Sequence, residues 1–154
     1  MKVSDPLTEG ILGAAIEVHR TLGPGLLESV YEESLCHELA LQRLAFQRQV
    51  ACPVSYKGVA LDCGFRADVV VQEEIILEIK AVERLLPVHS AQLITYLKLA
   101  RIPKGSLVNF NVTPLRQGIR RLHASPDGKP QGEMLISSQC SLYLPVRERF
   151  GDSS

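Results

Sequence analysis

The chain is 154 residues long, 45% hydrophobic and 22% charged, and its 17 Lys and Arg balance 17 Asp and Glu. That composition is ordinary for a globular protein with enough chain to bury one core, and no apolar run nears the roughly 20 residues of a bilayer span. No apolar stretch follows Lys2, which argues against a secretory leader. Cys36, Cys52, Cys63 and Cys140 lack the CxxC spacing of a zinc or iron–sulfur centre. The expectation is a cytoplasmic protein with free thiols.

The zero net charge hides an asymmetry. Residues 1–83 carry 13 acids against 7 Lys and Arg, whereas residues 84–126 carry no acid. The bases of that second stretch are Arg84, Lys98, Arg101, Lys104, Arg116, Arg120 and Arg121. Such a stretch suits a phosphate backbone, whose affinity comes from neutralisation by Lys and Arg. Scattered over several elements, the same charges would be plain solvated surface.

Asp5-Pro6 reads as an N-cap and first helical position, and Ile11, Ala15, Val18 and Leu22 recur at helical spacing until "LGPG" (22–25) breaks the helix. A second helix is predicted over about 26–43. "FQRQVACPVSYKG" (46–58) is strand material ending in a turn at Lys57-Gly58, and strands follow at about 65–71 and 75–81. Pro87 opens a third helix, with Leu93, Leu97 and Ala100 on one side, ending before "IPKG". Strands are expected at 106–112 and 118–123. This order predicts an α/β domain with a mixed sheet flanked by helices over 1–123. Residues 124–154 are a tail, linker-like "ASPDGKPQGE" and then the short apolar "SLYLPV" (141–146).

Charges inside the apolar hairpin strands need a reason, because a buried charge is costly unless paired or metal-bound. In "EIILEIK" (74–80), alternation puts Ile75, Leu77 and Ile79 on one face and Ile76, Glu78 and Lys80 on the other. A three-residue loop at 72–74 sets Asp68 directly across from Glu78; a two-residue turn would send the acids to opposite faces. Two adjacent carboxylates repel each other unless a divalent cation lies between them, and hard cations such as Mg²⁺ are held by one or two carboxylates plus water and phosphate. The plainer reading is an exposed face on which Glu78 and Lys80 pair.

On the second helix, Glu28, Tyr31, Leu35 and Leu39 share one sector, so Glu28 is carried toward the core side; a Glu in a first turn also suits the helix dipole. On the third, His89, Gln92 and Tyr96 form one stripe that could orient a phosphate or base, or simply be a polar edge with a half-buried Tyr. His19, before "LGPG", reads as chiefly structural.

Together these motifs resemble the PD-(D/E)XK nuclease superfamily, RecB-like. Asp68 followed by "EIK" (78–80) matches its D…(D/E)xK core, and Gln92-x-x-x-Tyr96 resembles its QxxxY element. "GLLESVY" (25–31) matches GxxExxY, the signature of a small prokaryotic family in that group, with "VHRTLGPG" and "NF" at 109–110 also similar. Asp68 is preceded by Ala67 rather than Pro, and the likeness leaves the tail unaccounted for. The resemblance implies a restriction-endonuclease-like mixed central β-sheet and Mg²⁺- or Mn²⁺-dependent hydrolysis of nucleic acid to 5′-phosphates, DNA ahead of RNA. It implies Asp68, Glu78 and Glu28 at the metal, Lys80 beside the attacking water, and Gln92 and Tyr96 on the substrate. Arg84, Lys98, Arg101 and Lys104 would lead the phosphate backbone in. Two readings compete: a catalytically inactive relative that only binds nucleic acid, and a protein-interaction module, dimeric through "SLYLPV".

Overall fold

The computed structural model describes residues 5–124, apart from the side chains of residues 62–64. Helix α1 (Pro6–Leu22) starts where Asp5 accepts hydrogen bonds from Leu7 N and Thr8 Oγ1 (3.4 and 3.0 Å) and Pro6 supplies a preset φ. It stops at Gly23, whose φ of 71° suits a residue without Cβ. Helix α2 (Glu28–Leu41) begins later than the sequence predicts, because Leu26 lies in the bend after Gly23 and Leu27 is an extended N-cap. Strands β1 (Phe46–Tyr56) and β2 (Val59–Val71) form a long hairpin about the Lys57-Gly58 turn. Strand β3 (Ile75–Lys80), helix α3 (Pro87–Ala100), strand β4 (Lys104–Asn109), a 3-10 turn (Leu115–Gly118) and strand β5 (Ile119–His123) complete the order.

The five strands lie side by side in the order β1-β2-β3-β4-β5. All neighbours are antiparallel except β3 and β4, which run parallel and are therefore joined by the α3 crossover. The mixed sheet flanked by three helices is the α/β architecture expected. Two apolar layers sandwich it. Val69, Val71, Leu77, Ile79, Val108 and Phe110 face α1 and α2, while Val70, Ile76 and Leu107 face α3 through Leu93 and Leu97. Period-2 alternation carries both layers from the same strands.

The expected strands differ at several points. β2 starts at Val59, not 65, because its pairing to β1 continues through Tyr56↔Val59 past a bulge between Cys52 and Val54. β4 starts at Lys104 rather than 106 and stops at Asn109, its length set by parallel pairing from Ile75↔Lys104 to Lys80↔Asn109. The 3-10 turn before β5 has no counterpart in the predicted elements. Cys36 and Cys52 are free and buried, and burial pushes both thiols up to about 11. No helix among the described residues is long and apolar enough to cross a membrane. The side chain of Cys63, and the tail beyond Ala124 with Cys140, lie outside what the structure describes.

Candidate functional site

β2 and β3 pair through Val69↔Leu77, Val70↔Ile76 and Val71↔Ile75, with 72–74 as the loop. The next rung is Asp68 opposite Glu78, and there the ladder changes character. Asp68 N donates to Glu78 Oε1 at 3.1 Å, and Ile79 N donates to Asp68 Oδ2 at 2.8 Å. Side-chain carboxylates thus stand in for main-chain carbonyls, satisfying amides that the splaying strands would otherwise leave bare. Each carboxylate is fastened by one oxygen. The second oxygens are left looser: Asp68 Oδ1 receives only a long 3.4 Å bond from Gln49 Nε2, and Glu78 Oε2 accepts no hydrogen bond among the described residues.

Charge at this rung is strained. Glu78 is 5% exposed, and burial followed by the nearby Asp68 carboxylate raises its pKa to about 8. Burial raises that of Asp68 as well, with Glu32 adding to it and Lys80 opposing. Lys80 lies two residues along the same face yet forms no ion pair among the described residues. The plain Glu78–Lys80 pairing is therefore not what the sheet contains.

Glu28 reaches this end of the sheet from α2. Its Oε2 accepts from Ala81 N at 3.2 Å, just past the end of β3. The helix is turned that way by Tyr31, one turn on and fully buried, whose ring stacks on Phe110 at 4.5 Å. Its hydroxyl donates to Gly23 O (2.6 Å) and accepts from Leu26 N (3.1 Å), closing the Gly23–Leu26 loop. Glu28 itself is exposed and sits at the next level of the sheet. Among the described residues no three His, Cys, Asp or Glu side chains are gathered as metal donors, so Glu28 does not join Asp68 and Glu78 in one cluster. The reason is its bond to Ala81, three residues beyond Glu78.

From the other side comes α3. Tyr96 packs edge-on against Phe65 at 5.0 Å, and burial together with Glu78 and Asp68 pushes its hydroxyl pKa up. Gln92 is half-buried one turn earlier. His89 closes the start of the helix by accepting from Leu86 N through Nδ1 at 2.9 Å. Its pKa is lowered by partial burial and then by Lys80 and Arg120, with Glu28 opposing. His19 is structural, its Nε2 lying 2.8 Å from Val112 O.

The four basic residues are not brought together. Arg84 is exposed on the β3–α3 loop, at the carboxylate end of the sheet. Lys98 is 5% exposed on α3, and Lys104 Nζ is 3.2 Å from Asp5 Oδ2. Lys104 pairs with Ile75, five residues from Lys80 along the strand, about 16 Å at the usual rise. Arg101 caps the same distal end of α3. Having no acidic neighbour in sequence did not give these residues a common face.

Arg120 was not among those four, yet the register puts it in the row Glu78, Leu107, Arg120 on the α3 face. Three other residues escaped the sequence reading. Asn109, 1% exposed, accepts from Val82 N and Asn111 N and donates to Val82 O, pinning the segment after Lys80 to the end of β4. Its "NF" context was the one available signal. Gln49 bonds to Asp68 across the β1–β2 pair and to Glu32 on α2, and no local pattern announces either residue.

The donor set is hard: two carboxylates on one face of the sheet. Such a set fits Mg²⁺ or Mn²⁺ better than zinc. A cation there would relieve the repulsion that the pair otherwise settles by holding a proton on the buried Glu78. No curated protein and no solved structure matches the chain. A family model described as PD-(D/E)XK nuclease superfamily matches residues 5–122, nearly the whole described fold and every side chain of the site. The protein belongs to the PD-(D/E)XK nuclease superfamily, whose members generally use divalent metals.

Proposed function

We propose that the protein is a divalent-metal-dependent nuclease that hydrolyses phosphodiester bonds, of DNA ahead of RNA, at the Asp68–Glu78 rung. The observation that carries this reading is a buried carboxylate, Glu78, and a half-buried one, Asp68, that brace each other's strands while Lys80 beside them forms no ion pair among the described residues. Asp68 and Glu78 would hold Mg²⁺ or Mn²⁺, with Glu28 as an outer carboxylate. When bound, the ion supplies Lewis-acid polarisation of a phosphoryl oxygen and a lowered pKa for bound water. Lys80 positions the attacking water and offsets negative charge gathering on phosphorus. The Tyr96 hydroxyl, kept protonated, donates to the substrate, and the Gln92 amide both donates and accepts. Glu28 and Asn109 hold Ala81 and Val82, the two residues that follow Lys80, limiting how far the ammonium wanders. In "GLLESVY" the Tyr31 hydroxyl closes the Gly23–Leu26 loop and Glu28 bonds to Ala81 N beyond β3, and these two uses support placement in the GxxExxY group.

The test is a cleavage panel over single- and double-stranded DNA and RNA with Mg²⁺ or Mn²⁺. Asp68→Ala and Lys80→Ala should each remove cleavage while the circular dichroism spectrum stays native. Undiminished cleavage by both variants would reject the assignment. Nucleic-acid binding that survives chelation, with no nicking by the wild type under any ion, would leave a non-catalytic binder.

A further inference from the structure

Asp68 faces two strands, not one. On the β1 side the ladder runs Arg48↔Val69 and Val50↔Ala67, so the residue opposite Asp68 is Gln49. Gln49 has φ of 50°, a left-handed conformation inside a strand that a residue with a side chain adopts only when its surroundings demand it. The surroundings are visible. Its carbonyl, turned out of the ladder, accepts from Arg66 Nη1 at 3.1 Å. Its side-chain amide points between two carboxylates, with Nε2 2.7 Å from Glu32 Oε1 and 3.4 Å from Asp68 Oδ1. Glu32, 8% exposed on α2, is fixed in turn by Arg48 through Nε (3.1 Å) and Nη2 (2.7 Å) on its other oxygen.

The two protons of one amide therefore go to two acids. The Asp68 oxygen that receives one of them is the oxygen that Ile79 N does not hold. We infer that Gln49, anchored through Glu32 and Arg48, is a positioning residue that sets the plane of the Asp68 carboxylate and keeps its Oδ1 turned toward the open side of the rung. The inference rests on the metal-binding reading of Asp68 and Glu78. It adds a second arm to the site, running from α2 through β1 to β2. In it, a strained backbone angle is retained because it aims an amide where a regular strand residue would aim it at solvent or core.

The experiment uses the full chain and Mn²⁺ alone, followed by calorimetry or by the spin-resonance signal of the free ion, without nucleic acid. Gln49→Gly removes the side chain but accepts the left-handed angle, so relief of backbone strain offsets the lost hydrogen bond to Glu32 and its melting temperature in EDTA should stay close to that of the wild type. Its Mn²⁺ dissociation constant should rise about tenfold, and in cleavage assays kcat should fall while KM for nucleic acid holds. Gln49→Glu, which sets a third carboxylate between the two, should perturb the same quantities without restoring them. Mn²⁺ binding by Gln49→Gly equal to wild type, with Asp68→Ala unable to bind, overturns the role of Gln49 and spares the metal reading. A Gln49→Gly variant whose binding loss tracks a fall in melting temperature also overturns it, as a merely structural role. A wild type that binds no Mn²⁺, or binds equally after Asp68→Ala, overturns the metal reading and this inference with it.

Discussion

At Glu78, burial and the adjacent Asp68 charge act in the same direction, and the amide hydrogen bond from Asp68 is too little to cancel them. The folded-state pKa of about 8 lies above the ordinary carboxyl value of 4.5, so the metal-free fold binds this proton more tightly than the unfolded chain does. The contribution of this carboxyl to stability is therefore complete below pH 4.5 and is lost as pH rises through 8, on the order of a few kcal/mol in all. Glu78→Gln, which needs no proton to stay neutral, should then raise the melting temperature in EDTA at pH 9. The advantage over wild type should shrink toward pH 5. Thermal denaturation across that range checks it, and equal melting temperatures at pH 9 would mean the site is wetter than its burial suggests. This rung was readable in the sequence only as one of two loop lengths, and the β2–β3 register supplies the three-residue one. Gln49 was not readable. A left-handed residue breaks the alternation on which such reading depends, and its partners lie 17 and 19 residues away.

Among the elements, α2 shows how a weakly amphipathic helix is still placed. Its first residue bonds to Ala81, its fourth stacks on Phe110, and its fifth holds Arg48 and Gln49. Sequence periodicity found the Tyr31, Leu35, Leu39 stripe that buries, but assigned Glu28 a deeper seat than it has. A wheel gives direction around the helix and not distance along the sheet. The Tyr31 hydroxyl, by bridging Gly23 and Leu26, ties the loop to the helix that carries Glu28. Tyr31→Phe keeps the stacking and leaves the Gly23 carbonyl and Leu26 amide short of a partner, which should cost about 1–3 kcal/mol. Urea denaturation measures this, and faster amide exchange at Leu26 would assign the loss to the loop. Full protection of that amide in the variant would show that the loop is held by something else.

Over the whole molecule, the acid-free stretch divides between two ends. The α3 crossover takes Lys98, Arg101 and Lys104 to the far end, while the β4–β5 register returns Arg120 to the site row. Arg84→Ala and Arg120→Ala should each weaken nucleic-acid binding and flatten its salt dependence by about one unit of slope on a duplex, by loss of one phosphate contact. Lys104→Ala should change neither, although it gives up the Asp5 pair. Binding titrations at several salt concentrations distinguish these, and a Lys104→Ala variant with the larger effect would move the interface to the opposite end. The presence of a basic stretch was legible; its division was not, because it depends on which strands become neighbours.

The rims of the sheet have a consequence for how copies of the chain meet. β1 forms one rim and carries Pro53, which has no amide hydrogen to offer, between the left-handed Gln49 and the Lys57-Gly58 turn. β5 forms the other, five residues long with Arg120 and Arg121 both in solvent. Among the described residues, neither rim offers a straight, uncharged template to an incoming strand. These features disfavour sheet extension at both described margins, and the kink that aims Gln49 at Asp68 also serves as one of the barriers.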